Sequence, residues 1–394
     1  MITAATLLLA VLGAPLAAMS VYLLVLTLLS GAPRGVERSS RSMRFAVIVP
    51  AHDEEATIET VLESLSRLNW PRTRVRIHVV ADNCTDGTAA RARERGARVL
   101  VRTDPERRGK GYALESAFRD VEAAGWADAV VVVDADSEVS ANLLEACAAR
   151  LESGAHAVQV HHRVLNTQSS ARTRLLTIAL TCFHQVRSRA RERLFVSSGI
   201  RGNGWCVTLH LLQKIPYHAF SLAEDIEYGI RLGLAGQRVH YADEASVAAL
   251  MVSGEKAARL QRQRWEHGRF QMVRQEVAPL FRAALARGDA VCLDLALDLL
   301  VLPLATIAAG TVLWVLLAGV GTVWNAHLAV WLGLALGSAA AIVVYVLRGW
   351  QLSGLGARGL IDLLSAPAFI VWKLLVMLGA HDATEWVRTR REPP

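Results

Sequence analysis

From Thr3 to Ser30 the chain carries no charged residue and is dense in Leu, Val and Ala. A helix rising ~1.5 Å per residue over that length crosses a hydrocarbon layer of ~30 Å. A secretory signal is the competing reading, but no basic residue precedes the run and the run exceeds the usual signal core, which favours a lasting anchor. Arg34, Arg38, Arg41 and Arg44 follow. Basic residues stay on the cytoplasmic side, so the amino terminus is expected outside. Between Arg44 and Arg287 the pattern turns periodic. "RFAVIVPAHDE" reads as an apolar strand entering a polar loop, and "EATIETVLESLSRL" has apolar residues at helical spacing. "RIHVVADNCTDGTAARARERG" and "ARVLVR" supply two more strands with a helix between them, and "GKGYALESAFRDVEAAG" predicts a helix leading into "VVVVDADSEV". Strands alternating with helices argue for an α/β fold with a doubly wound, mostly parallel sheet.

After Arg287 and the spaced acids Asp289, Asp294 and Asp298, two further spans are expected, Leu299 to Val320 and Ala329 to Leu347. Their connection "GTVWNAHL" has no Lys or Arg, whereas Arg348 and Arg358 follow the second of them, as in a hairpin leaving and re-entering the cytoplasm. Leu360 to Ala380 is apolar but interrupted by Pro367 and Lys373, so a fourth span and a re-entrant segment both stay open.

Composition agrees with a charged domain joined to apolar spans: 53% of the 394 residues are hydrophobic and 20% charged. The net charge is +7, almost all from arginine, since Lys110, Lys214, Lys256 and Lys373 are the only lysines. Such a balance fits nucleic acid, anionic lipid or a phosphorylated substrate. The five cysteines form no CxxC pair, so neither a zinc site nor a disulfide framework is indicated.

Ligands of wound sheets sit beyond the carboxyl ends of the strands. There the acids collect: Asp53 and Glu54, Asp82, then Asp134 and Asp136. Alternate side chains of extended chain project one way, so Asp134, Asp136 and Glu138 are expected on one side of the strand end. Acids capping the next helix are the plain alternative; a divalent cation site is the sharper one, because paired carboxylates repel unless a proton or cation lies between them. Mg²⁺ and Mn²⁺ take such oxygen ligands together with substrate phosphates. At Asp82 a nucleobase N–H or a ribose hydroxyl is the expected partner, while Asp86 or Thr88 caps the following helix. "RRGKGYAL" joins Arg107, Arg108 and Lys110 to glycines before a helix, where phosphate is attracted, although the Walker spacing is absent. In "SLAEDIEYGIRLGLAGQ", Leu222, Ile226, Ile230 and Leu234 keep helical spacing and Gly236 stops the helix, leaving Glu224 and Asp225 in the first turn. They suit either the helix dipole or general-base work on a hydroxyl. In "RLQRQRWEHGRF", Gln261 and Arg264 share a helix face and Trp265 lies beside Gln261. A basic interfacial helix is one reading; Arg264 holding a departing phosphate while the indole stacks on a sugar is the other.

Taken in order, Asp82, Asp134–Ala135–Asp136, Glu224–Asp225 and Gln261–Arg262–Gln263–Arg264–Trp265 resemble the D, DxD, ED, QxxRW signature of membrane-embedded family 2 glycosyltransferases. That group includes cellulose, chitin, hyaluronan and poly-N-acetylglucosamine synthases and ceramide glucosyltransferases. The resemblance spans roughly residues 45 to 270. It implies a Rossmann-like GT-A domain over 44–255 in the cytosol, an anchor over 1–32, an interfacial QxxRW helix over 256–290 and a membrane region of two or three segments over 291–394. It also implies inverting transfer from a nucleotide-diphosphate sugar, UDP-linked, to a glycan or lipid acceptor at a bacterial cell membrane. On this likeness Pro50, Glu54, Asp82, Lys110, Asp134, Asp136, Gln261 and Arg264 serve the donor. Asp136 and Asp134 hold Mg²⁺ or Mn²⁺. Asp225 is the base beside Glu224, and Trp265, Gly202, Asn203 and Trp205 meet the acceptor. No nucleic-acid partner is expected. Ala223 stands where many polymerising synthases have Thr, and three or four spans are few for a polymer channel, so single transfer to a lipid rivals polysaccharide synthesis. A dehydrogenase is disfavoured because "VPAHDEEAT" lacks glycine. A non-catalytic scaffold would be expected to have lost some of the acids.

Overall fold

The structure is a computed structural model and describes residues 2–33, 35–251, 255–368, 370 and 371, with residues 2, 3 and 255–264 as backbone alone. The chain divides into two compact units, one of Ala32–Asn166 and Leu194–Leu299, the other of Met1–Gly31, Thr167–Arg193 and Leu300–Ala380.

The first unit is built on eight strands: β1 Phe45–Ala51, β2 Val75–Asp82, β3 Arg98–Arg102, β4 Ala129–Val132, β5 Ser137–Val139, β6 Ala157–Val164, β7 Trp205–Thr208 and β8 Val239–Ala249. They form one sheet in the order β3-β2-β1-β4-β7-β6-β8-β5. The β1–β2, β1–β4, β2–β3 and β6–β8 pairs are parallel. The pairs β4–β7, β6–β7 and β5–β8 are antiparallel.

The continuous apolar runs are explained by cover on both faces. In β1, Phe45, Val47 and Val49 enter one buried cluster while Ala46 and Ile48 enter another. The valine run of β4 splits in the same way, Val131 with the first cluster and Val130 and Val132 with the second. Ile58, Val61, Leu62 and Leu65, from the helix Ile58–Ser66, cover the first face. Ala113, Leu114, Ala117, Phe118 and Val121, from the helix Lys110–Ala124, cover the second.

One local expectation is corrected here. The strand carrying the valines ends at Val132, and the chain turns before β5, with the Ser137 N–H donating to the Asp134 carbonyl at 3.2 Å. Asp134, Asp136 and Glu138 therefore do not stack along one extended edge; Glu138 belongs to β5 and pairs with β8.

Among the described residues of the second unit, three helices are long and apolar enough to cross a membrane: Ala4–Leu28, Leu304–Trp324 and Ala326–Ser353. Thr167–Arg193, which strand–helix alternation had left inside the periodic domain, groups with them. Ile178, Cys182 and Val186 lie in one buried cluster with Leu23, Trp314 and Tyr345. Two arginines of this segment meet tyrosine hydroxyls, Arg187 Nε donating to Tyr345 Oη at 2.9 Å and Arg191 Nη2 to Tyr22 Oη at 2.7 Å, while Arg174 pairs with Asp362. Of the Leu360–Ala380 segment, residues 369 and 372–380 lie outside the described residues, as does the basic tail.

Candidate active site

Because β1, β2 and β4 run parallel, their carboxyl ends open on one side of the sheet. Asp82 is the last residue of β2 and is in register with Arg102 at the end of β3. Arg102 Nη1 donates to Asp82 Oδ1 at 2.5 Å and Arg102 Nη2 to Asp104 Oδ2 at 3.1 Å. The guanidinium also lies 5.7 Å from the Tyr112 ring, which stacks on Phe220. Asp82 thus faces the edge as part of a fixed polar plate. Arg102 was not singled out from sequence; the available signal was a basic residue ending the strand beside an acid-tipped one.

The turn after β4 is held from below. Asn203 Oδ1 accepts the Asp134 N–H at 3.0 Å, and Asn203 Nδ2 donates to Ser137 Oγ at 2.7 Å. Ser137 Oγ in turn donates to Asp136 Oδ1 at 3.3 Å. Asn203 is fully buried, and its side chain braces the Asp134–Asp136 turn. Trp205 begins β7 at 1% exposure, against Phe118, Tyr217 and Tyr228. Gly204, between these two residues, has φ +70, and a Cβ there would fall 2.6 Å from methyls of Val160 and Val247. Only glycine suits both the conformation and the space.

Lys110, first residue of its helix, gathers the remaining parts. Its Nζ lies 2.6 Å from Asp134 Oδ1, donates to the Gly202 carbonyl at 2.6 Å, and is 3.8 Å from Glu224 Oε1. Gly202 has φ +82, and a Cβ there would meet Asp225 Oδ2 at 3.5 Å. The helix Glu224–Leu234 puts both acids in its first turn and ends ahead of Gly236, as its sequence pattern predicts. Its Tyr228 and Leu232 pack under the sheet, and Ile230 joins Met272, Leu280 and Leu295 on the other side. Lys110, Asp134, Gly202, Glu224 and Asp225 are therefore brought together.

Three acids around one ammonium set the electrostatics. Burial opposes the charge on Lys110, but Asp134, Glu224 and Asp225 outweigh it and hold its pKa above the ordinary lysine value. Burial, reinforced by Asp225 and Asp134 against the counter-pull of Lys110, pushes Glu224 up to about 7. Burial also raises Asp225. Burial also lowers the pKa of His162, on β6 and missed from sequence. Because the acids ionise late, turnover that needs a free carboxylate should climb as pH rises through 7, with the apparent value belonging to the pair. Stability moves oppositely: the raised folded-state pKa favours folding below the ordinary carboxyl range, and that contribution is lost as pH rises through 7. A kcat profile flat from pH 5.5 to 8 would contradict this reading.

Asp134 and Asp136 offer hard oxygen donors on a single turn beside an excess of acid over base, which fits a divalent cation. Another grouping, Asp53, Cys84 and Asp86, has its ligand atoms within 4.8 Å of one another. Its oxygens serve the local turns instead. Asp53 Oδ1 accepts the Thr85 N–H at 2.6 Å, while Asp86 accepts the Thr88 N–H at 3.0 Å and the Glu55 N–H at 3.2 Å. The helix Thr88–Glu94 is capped by Gly87, not by Asp86 or Thr88 as expected, and the Asp86 bond to the Thr88 N–H lies one residue ahead of that cap.

Pro50 lies in β1 opposite Val80, and Glu54 accepts from Thr57 Oγ1 at 2.8 Å, both near the carboxyl end of β1. Trp265 is 42% exposed on the helix Glu255–Arg287. Gln261 and Arg264 are on the same helix, but their side chains lie outside the described residues.

Comparison with known proteins bears on this arrangement. The sequence model of the Glycosyltransferase like family 2 matches residues 43–268. The probable glycosyltransferase YdaM of Bacillus subtilis (strain 168) is 28% identical over 259 residues, 64% of this chain and 61% of that one. The beta-monoglucosyldiacylglycerol synthase of Synechocystis sp. (strain PCC 6803) is 29% identical over 237 residues, 57% of this chain and 47% of that one. The matches thus span about half to three fifths of these relatives. Among solved structures, the mannosyltransferase PcManGT of Pyrobaculum calidifontis, in complex with GDP-Man and Mn²⁺, superposes with a TM-score of 0.52 at 19% identity, covering 89% of this chain and 99% of that one. That likeness is one of fold.

Proposed function

We propose, since this chain belongs to the Glycosyltransferase like family 2, that it moves one sugar from a UDP-linked donor to the hydroxyl of a lipid acceptor, with inversion. The observation that carries this reading is the convergence of Lys110, Asp134, Gly202, Glu224 and Asp225 at the carboxyl edge of a mostly parallel sheet. Inversion needs a single in-line displacement. Asp225, half-buried and next to the cradle at Gly202, takes the acceptor proton, and no covalent carboxylate is called for. Asp82 with Arg102 reads the nucleoside. Asp136 and Asp134 would hold Mg²⁺ or Mn²⁺, which when bound offsets charge on the departing diphosphate. Lys110 neutralises the acid cluster and is in place to meet phosphate, and Arg264 and Trp265 serve the diphosphate and the acceptor sugar.

A lipid acceptor is favoured by the three helices of membrane-spanning length and by the diacylglycerol named in the Synechocystis relative. The arginines that follow the first of these helices support a cytoplasmic side for the sheet-bearing unit. Membranes containing the full chain, given a panel of UDP- and GDP-sugars with and without EDTA, test the reading. The expected result is nucleoside diphosphate release from one UDP-sugar, abolished by EDTA, with a lipid product heavier by one sugar. A ladder of polymer masses would favour polysaccharide synthesis, and no release from any nucleotide sugar would overturn the proposal.

A further inference from the structure

Glycine is a poor helix former, yet Gly268 sits in the interior of the helix Glu255–Arg287. A Cβ built on it would lie 3.1 Å from the Ala223 Cβ, 3.2 Å from the Ala223 nitrogen and 3.2 Å from the Leu222 carbonyl carbon. These are closer than ordinary van der Waals contact, and two of the three atoms are backbone that no side-chain rotation can clear. Ala223 is the residue immediately before Glu224 and Asp225.

Positions 261, 264, 265 and 268 are spaced i, i+3, i+4 and i+7, so they occupy one stripe of the helix. Met272, the next position on that stripe, is buried in one cluster with Ala223 and Ile230. The stripe bearing Gln261, Arg264 and Trp265 is therefore the one that runs onto the turn ahead of the acid pair. Elsewhere the helix is fixed by Arg269, whose Nη2 donates to the carbonyls of Asp298 and Leu299 at 3.0 Å each. With rotation and lateral position set in this way, the depth of approach is set at Gly268.

We infer that Gly268 is a positioning residue: its missing side chain sets how closely the Gln261–Arg264–Trp265 stripe approaches Glu224 and Asp225. The inference rests on the reading of this site as a sugar-transfer site. Misplacement by ~1 Å can cost ~10²-fold in rate when reacting groups must be aligned. An added methyl forces a shift of a few tenths of an ångström, and a branched side chain forces more.

The test uses the full chain in lipid nanodiscs, with UDP as the binding probe and the donor found above as substrate. Gly268→Ala should lower kcat by roughly threefold to tenfold and Gly268→Val by about 100-fold. For the alanine variant, UDP affinity should fall a few-fold along with kcat, because Arg264 on the displaced stripe meets the diphosphate, while its thermal midpoint should move little, the better helix propensity of alanine offsetting the crowding. Wild-type kcat in the valine variant would overturn the inference. So would an alanine variant whose kcat falls in step with its thermal midpoint while UDP affinity is unmoved, since that is a merely structural defect. Failure of the underlying reading is distinguishable, because it appears in the wild type as no turnover of any nucleotide sugar, and it overturns the inference too.

Discussion

Asp225→Asn is expected to cut transfer by about 10²–10⁴-fold, the usual worth of a positioned proton acceptor, while UDP-sugar affinity stays within about twofold. The amide matches the carboxylate in shape, so the first turn of its helix and the approach of Gly202 at 3.5 Å should survive. What disappears is the oxygen that takes the acceptor proton. Glu224→Gln provides the control. Glu224 lies 3.8 Å from the Lys110 ammonium, so its charge is partly committed to an ion pair. The glutamine variant should lose less than the asparagine one. The measurement is kcat at saturating donor and acceptor, alongside donor binding by calorimetry. Unchanged turnover in Asp225→Asn would remove that residue as the base.

Lys110→Met should be damaging for a different reason. It leaves Asp134, Glu224 and Asp225 without the cation they share, and removing one partner from a largely buried ion pair costs about 3–5 kcal/mol. Lys110 keeps 22% of its side chain accessible, so the lower end of that range is expected. A second signature separates charge from general damage. Lys110 holds the pKa values of Glu224 and Asp225 down against burial. Without it both should ionise later, and the rising limb of the pH–rate profile should move to higher pH. Denaturant unfolding reads the first effect and initial rates from pH 6 to 9 read the second. A variant as stable as the wild type, with an unmoved profile, would show that the ammonium is not the hub of the cluster.

Much of this arrangement was legible in the chain. Runs such as Phe45–Ala51 and Val130–Val133 could only be strands covered on both faces, and each does divide its side chains between two buried clusters. The acid-tipped strand ends and the helix from Glu224 to its stop at Gly236 followed from local spacing. Features fixed by contacts distant in sequence were hidden. That Asn203 would brace the Asp134 turn, or that Lys110 would reach the Gly202 carbonyl, depends on β7 lying beside β4 in antiparallel register, which no local pattern announces. Trp205 was expected near an acceptor from the likeness of its surrounding segment, and its pairing with Val132 and Gln159, which leaves it 1% exposed, was equally hidden. Ile178, Cys182 and Val186 do fall at four-residue spacing, but the arginines flanking them, Arg172 and Arg174 before and Arg187, Arg189, Arg191 and Arg193 after, masked the stripe, and the tyrosine hydroxyls that meet Arg187 and Arg191 come from other helices.

The winding of the chain between its two units has a practical consequence for anyone wanting a water-soluble catalyst. The backbone passes from one unit to the other at 31/32, 166/167, 193/194 and 299/300. Shortening the protein at both ends, the usual remedy, keeps the loop of Thr167–Arg193 while discarding Leu23, Trp314 and Tyr345, the partners of its oily side. A bared surface of that kind invites clumping. A tractable fragment would need a third deletion, rejoining Asn166 to Leu194 with a short polar bridge, and its yield in solution would report whether the sheet-bearing unit stands alone.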